Sequence, residues 1–220
     1  MRQILKTKEP ISLSTYRSSI SKVDLANLEK FDDSSSNVKD DLRNKLLEEQ
    51  GYICCYCMGR IDFRTSKIEH FKPRSLFRSE QLDYSNLFIA CYGGEGRNEN
   101  EQHCDTKKAN KLLKSISLLQ KNIKSDISYR KDGSIFSQNK AIDKELNDTL
   151  NLNYINLKNN REAVLYQVLL ELEKNKWSTS NLKNNLKKYQ TENSKGKYRP
   201  YCEMIVYFLN KKLKQKGMKI

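Results

Sequence analysis

ICCYC (53–57), KIEHFKP (67–73), DYSNLFIAC (83–91) and HCDTKK (103–108) are the four pieces of one stretch on which the reading of this chain turns. Both histidines, His70 and His103, and five of the six cysteines, Cys54, Cys55, Cys57, Cys91 and Cys104, fall inside it; Cys202 stands apart. Cys54-x-x-Cys57 has the two-residue spacer of a knuckle, which points both sulfurs at one tetrahedral ion. Cys91 and Cys104 are the natural pair to close the tetrahedron, with YGGEGRNENEQH (92–103) looping out between them. The expectation is a structural Zn²⁺ on Cys54, Cys57, Cys91 and Cys104, holding together a motif too small to have its own core. Two alternatives stay open: Cys55 for Cys54, at a less favourable C-x-C spacing, and His103 for Cys104.

Working outward, SSSN (34–37) reads as a linker ending in a helix N-cap, and residues 1–36 as irregular. VKDDLRNKLLEEQGY (38–52) spaces Val38, Leu42, Leu46 and Leu47 as a helix does, with Gly51 as a left-handed stop. KIEHF is β-prone and ends at Pro73; DYSNLFIAC reads as a short helix capped by Asp83, and CDTKKANKLLK (104–114) as another helix. ISYRKDGSIF (127–136) reads as a hairpin turning at Asp132-Gly133. Beyond it, Leu157, Val164, Leu165, Val168, Leu169 and Leu172 form one helical stripe and Ile205, Phe208, Leu209 and Leu213 another, both expected to be core. The fold class implied is α+β, mainly α, divided as an arm (1–37), a cysteine-bearing core (38–115) and a hairpin plus helical region (116–220).

Lys and Arg number 41 against 27 Asp and Glu, a net charge of +14. Residues 176–220 carry twelve Lys or Arg against only Glu192 and Glu203, making that region a candidate partner- or DNA-binding surface. No apolar run approaches the roughly 20 residues needed to cross a bilayer. MRQILKTKEPISLSTYR (1–17) lacks the apolar centre of a secretory signal, so a cytoplasmic protein is expected, with thiols serving metal rather than disulfides. There is no GxxxxGK[ST] loop, so the chain is not expected to hydrolyse ATP by itself.

The order Cys-x-x-Cys, acidic-His-x-x-Pro, Asn-Leu, Cys, Cys-x-x-x-Lys resembles the HNH endonuclease family. LEEQGYICCYC, KIEHFKPRS, LDYSNLFIAC, HCDTKK and LNLN with Arg161 look like one branch of it, the Septu (PtuB-like) and retron-associated anti-phage HNH nucleases, over most of residues 38–161. The resemblance implies a zinc-supported ββα-metal nuclease core embedded in a helical domain and cleaving DNA. It implies His70 as general base, Asn86 as the amide that pins the base-bearing loop, and Glu69 and Asp105 as ligands of a catalytic Mg²⁺ or Mn²⁺, with His103 as the alternative second ligand. Lys107 and Lys108 are candidate phosphate contacts, and an ATPase partner subunit (PtuA-like) or retron components are implied as partners. The residue types suit the chemistry: an imidazole takes a proton at neutral pH and hard carboxylates hold hard cations. Glu stands before His70 where Asp is usual, and Asp105 stands where His or Asn is usual. Because Glu69 and His70 are adjacent, an ideal strand points them to opposite faces, so a bulge or turn is expected to bring them together. The competing expectation is a non-catalytic zinc-knuckle nucleic-acid-binding or structural subunit.

Overall fold

The computed structural model describes residues 1–21 and 36–218. Its regular structure is mainly helical: α1 (Ile11–Ser19), α2 (Ser36–Glu49), α3 (Cys104–Lys108), α4 (Lys140–Lys144, continued by a π turn over Glu145–Thr149), α5 (Ile155–Lys174), α6 (Thr179–Gln190) and α7 (Cys202–Gln215). Two small antiparallel ribbons accompany them, β1 (Ser66–His70) with β2 (Leu87–Cys91), and β3 (Ser128–Tyr129) with β4 (Ile135–Phe136). The fold is therefore mixed α/β and mainly helical, and the order β1, β2, α3 forms a ββα unit beside the cysteines.

Two elements differ from their sequence reading. DYSNLFIAC is not a helix: Asp83 caps only a single 3₁₀ turn, Tyr84–Asn86, by accepting the Ser85 amide, and the chain then extends into β2. Leu87, Phe88, Ile89 and Ala90 are all buried, so this strand has no polar face to reveal a period of two. Its amides are satisfied on both edges. On one side it pairs with β1 from Ser66↔Cys91 to His70↔Leu87. On the other, the buried Gln50 side chain accepts from the Ile89 amide at 2.9 Å and donates to its carbonyl at 2.8 Å, while the Cys55 amide shares that carbonyl at 3.1 Å. The second difference is α3, which stops at Lys108 because Ala109 adopts φ 48°. The arm is also less irregular than expected, since α1 lies within it and Met1 and Leu13 are fully buried. The linker over 34–35 lies outside the described residues.

The helical stripes behave as core. Leu157, Leu165, Val168 and Leu172 of α5 are buried, as are Ile205, Leu209 and Leu213 of α7, while Val164, Leu169 and Phe208 are half-buried against the same cluster. Helix α7 packs on both α5 and α6. The expected hairpin is present, with Gly133 at φ +77° and so close to α5 that an added Cβ would lie 2.1 Å from the Lys158 carbonyl. Among the described residues no helix is long and apolar enough to cross a membrane.

Candidate active site and metal centre

The sulfurs of Cys54, Cys57, Cys91 and Cys104 lie within 4.8 Å of one another, and Cys54–Cys104 and Cys57–Cys91 are each 3.9 Å apart. A tetrahedron with zinc–sulfur bonds of about 2.3 Å has edges of about 3.8 Å, so the spacing fits that ion. The knuckle follows from local bonding: the Met58 amide returns to the Cys54 carbonyl, the Cys54 amide to the Gly59 carbonyl, and the Gly59 amide points at Cys57 Sγ. Burial alone would raise the Cys54 thiol, but the surrounding cysteine sulfurs hold it well below its ordinary range. Burial raises Cys104 far above it. Such crowding suits a divalent cation, which lets the thiols shed their protons without mutual repulsion.

Neither alternative ligand joins the cluster. Cys55 is buried beside it, its thiol raised by burial. His103 places Nδ1 3.2 Å from Cys104 Sγ and stacks its ring on Tyr154, a position for supporting the cluster from outside.

The LNLN–Arg161 segment explains itself here. The Leu150 carbonyl accepts the Cys104 amide at 2.8 Å, and Asn151 Nδ2 donates to the Asn100 and Gln102 carbonyls at the base of the cysteine loop. Asn153 brackets Ile135 of β4 with both of its amide atoms. Arg161, 1% exposed, donates from Nε to the Gly133 carbonyl at 2.5 Å and from Nη2 to the Leu152 carbonyl at 2.6 Å.

A cleft of about 650 Å³ runs along the unpaired edge of β1, lined by four consecutive strand residues, Lys67 to His70, and by Arg74, Arg78 and Asp105 among others. Viewed from an edge, side chains on both faces of a strand are accessible. The β1–β2 register accordingly runs through His70 without the bulge the sequence led us to expect.

Glu69 is 3% exposed; its Oε1 accepts from the Tyr56 hydroxyl at 2.7 Å and from Lys108 Nζ at 2.8 Å. Burial, then its hydrogen bond to and repulsion from Asp105, raise its carboxyl well above the usual range. Asp105 is also penalised by burial, yet the Glu69 hydrogen bond and Lys67, 2.8 Å away, bring it below its usual value. The two carboxyl groups lie close enough to act on one another, and their shifts run in opposite directions. A facing pair of hard oxygen donors in a cleft fits Mg²⁺ or Mn²⁺.

His70 Nε2 lies 2.9 Å from the Gln81 carbonyl. A carbonyl only accepts, so Nε2 carries the proton and Nδ1 keeps its lone pair. Burial, followed by the positive charge of Arg74, lowers the ring's pKa to about 4, leaving it neutral near pH 7.

Asn86 lies outside the cleft and works on the loop that follows His70. Its Oδ1 accepts the Lys72 amide at 2.7 Å, and Nδ2 donates to the Lys72 and Glu80 carbonyls at 3.1 and 3.2 Å. His103 is not among the residues lining the cleft. Lys107 is engaged by Glu99 at 2.9 Å. Lys108 corrects the expectation of a phosphate contact: it is 1% exposed and spends its ammonium on Glu69 and on the His70 carbonyl, 3.1 Å away. Sequence reading missed Lys67, Tyr56 and the cleft arginines Arg74 and Arg78. Lys67 had a signal, because two residues before Glu69 is the same face of a strand.

Strand edge, acidic pair, neutral imidazole and four clustered thiols define a small, mainly helical protein with four cysteines spaced to hold a metal ion and a candidate cation site beside them. No protein-family model matches the sequence. The chain is 30% identical over 79 residues to a protein of Vibrio cholerae serotype O1 biovar El Tor named "Retron Vc95 putative HNH endonuclease". That match covers 34% of this chain and 37% of the relative, a little over a third of the relative's length, and points to nuclease chemistry.

Proposed function

We propose that this chain is a metal-dependent HNH-type endonuclease that hydrolyses DNA phosphodiester bonds. The observation that carries the reading is His70: a neutral imidazole with its proton fixed on Nε2, its Nδ1 lone pair retained, in a cleft shared with two facing carboxyl groups. Nδ1 takes the proton from an attacking water, and the Gln81 carbonyl steadies the charge that develops on the ring. Glu69 and Asp105 would hold Mg²⁺ or Mn²⁺, which supplies charge stabilisation at the phosphate and leaving oxygen. Arg74 and Arg78 line the same cleft and provide positive potential for a polyanion. The resemblance of the motifs supports an anti-phage setting with an ATPase subunit as partner, and the name of the relative supports retron components instead, either docking on the helical region beyond residue 138.

Nicking of supercoiled plasmid in Mg²⁺ or Mn²⁺ by the zinc-loaded chain, alone and with its neighbouring gene product, tests this. His70→Ala should lower the rate by about 10²- to 10⁴-fold, the usual contribution of a general base. Cleavage indifferent to that substitution would remove His70 from the chemistry. One observation favours a second reading, a zinc-supported nucleic-acid-binding protein without catalysis: the ammonium groups of Lys67 and Lys108 each lie 2.8 Å from the carboxyl groups that would hold the cation. That reading expects DNA binding without metal-dependent cleavage.

A further inference from the structure

Lys67 and Lys108 reach the acidic pair from opposite circumstances. Lys108 is sealed in, 1% exposed, and bonded to Glu69 and to the His70 carbonyl. Lys67 has a side chain 23% exposed, lines the open cleft, and spreads its ammonium over Asp105 Oδ2 at 2.8 Å, Thr106 Oγ1 at 2.8 Å and Glu95 Oε2 at 3.4 Å. Glu95 is itself well exposed, so its pull on Lys67 is screened. Each of the two carboxyl groups thus already has an ammonium group 2.8 Å away. Adding a divalent cation there crowds further positive charge into a largely buried space, which is unfavourable unless one ammonium departs. Lys108 has no route out. Lys67, on a flexible stem at the strand edge, has one.

We propose that Lys67 is the resident counter-cation of Asp105, that a divalent metal ion must displace it to bind, and that the displaced ammonium then contacts substrate phosphate in the cleft. The inference rests on the nuclease reading above and adds to it a residue with two successive partners. It also accounts for carboxyl groups that have ammonium partners before the metal arrives. Displacement holds the affinity for metal down and couples it to substrate, because phosphate offers Lys67 a new partner once Asp105 is taken.

Isothermal titration of Mn²⁺ into the zinc-loaded full chain tests the first step, with Lys67→Met, Lys67→Arg and Asp105→Asn compared with the unaltered protein. Lys67→Met, which keeps the stem and loses the charge, should bind Mn²⁺ about tenfold more tightly, and Lys67→Arg should not. Thermal melting confirms that each variant is folded. For the second step, binding of a short DNA duplex in Mn²⁺ is measured in a His70→Ala background to prevent cleavage. There Lys67→Met should weaken affinity several-fold and reduce the slope of log K against log salt by about one. Equal or weaker Mn²⁺ binding by Lys67→Met, with Asp105→Asn still abolishing it, overturns the displacement and leaves the metal site standing. Mn²⁺ binding that ignores Asp105→Asn removes the metal site and the proposal together. An unchanged salt slope overturns the phosphate contact.

Discussion

His70 is buried deeply enough that its imidazolium is disfavoured, and this has a measurable sign. The ring protonates near 6.5 in an unfolded chain and near 4 in the folded one. Its contribution to stability is thus present above pH 6.5 and is lost as pH falls through that window toward 4. Nitrogen NMR of the zinc-loaded protein at pH 6 should show a neutral ring protonated on Nε2; an imidazolium there, or a proton on Nδ1, would contradict the assigned base. Asn86 permits a sharper contrast. Asn86→Ala deletes three hydrogen bonds to loop backbone and should cost about 2 kcal/mol in denaturant unfolding. Asn86→Asp keeps the acceptor for Lys72 but turns a carboxylate oxygen toward two carbonyls, and it should destabilise more than Ala does.

Among the elements, β2 shows why part of the fold was legible and part was not. The cysteine spacing gave the metal node, because a two-residue knuckle is local chemistry. The helices α2 and α5 were legible because each buries one stripe and exposes the rest, and α7 because its second half does, although Cys202 to Val206 are buried all round. A strand buried on both faces has no such stripe, and LFIAC carries nothing that separates it from a buried helical turn. What makes it a strand is distant: β1 on one edge, and the amide of Gln50 on the other. Gln50→Ala should therefore cost about 2 kcal/mol by orphaning the Ile89 amide, far more than an average glutamine, as read by chemical denaturation. The residues of the proposed site divide the same way. His70, Glu69 and Asp105 stand in a recognisable order, whereas Lys67 and Arg74 owe their place to the cleft along an open strand edge. The left-handed turn at Ala109 that ends α3 has no sequence signal, since alanine does not favour that conformation.

For the molecule as a whole, α3 joins the four-cysteine cluster to the acidic pair. Its five residues include Cys104, Asp105, the hydroxyl partner of Lys67 and the buried Lys108. Stripping zinc with a chelator should consequently abolish Mn²⁺ binding at the carboxylates, and titration before and after zinc removal measures it; undiminished Mn²⁺ affinity would show the sites to be independent. With a net charge of +14, the DNA binding proposed above should weaken steeply between low and physiological salt.

Hydrogen bonds tie Leu150 and Asn151 back across the chain to Cys104 and its loop, and Arg161 holds the same segment through the Leu152 carbonyl. A minimal fragment cut at residue 115 would include every sulfur ligand and every acidic group of the cleft and yet lack the brace that aligns them. Anyone excising it as a portable cutting module should expect a peptide that grips zinc poorly, because the parts list and the folding unit have different borders.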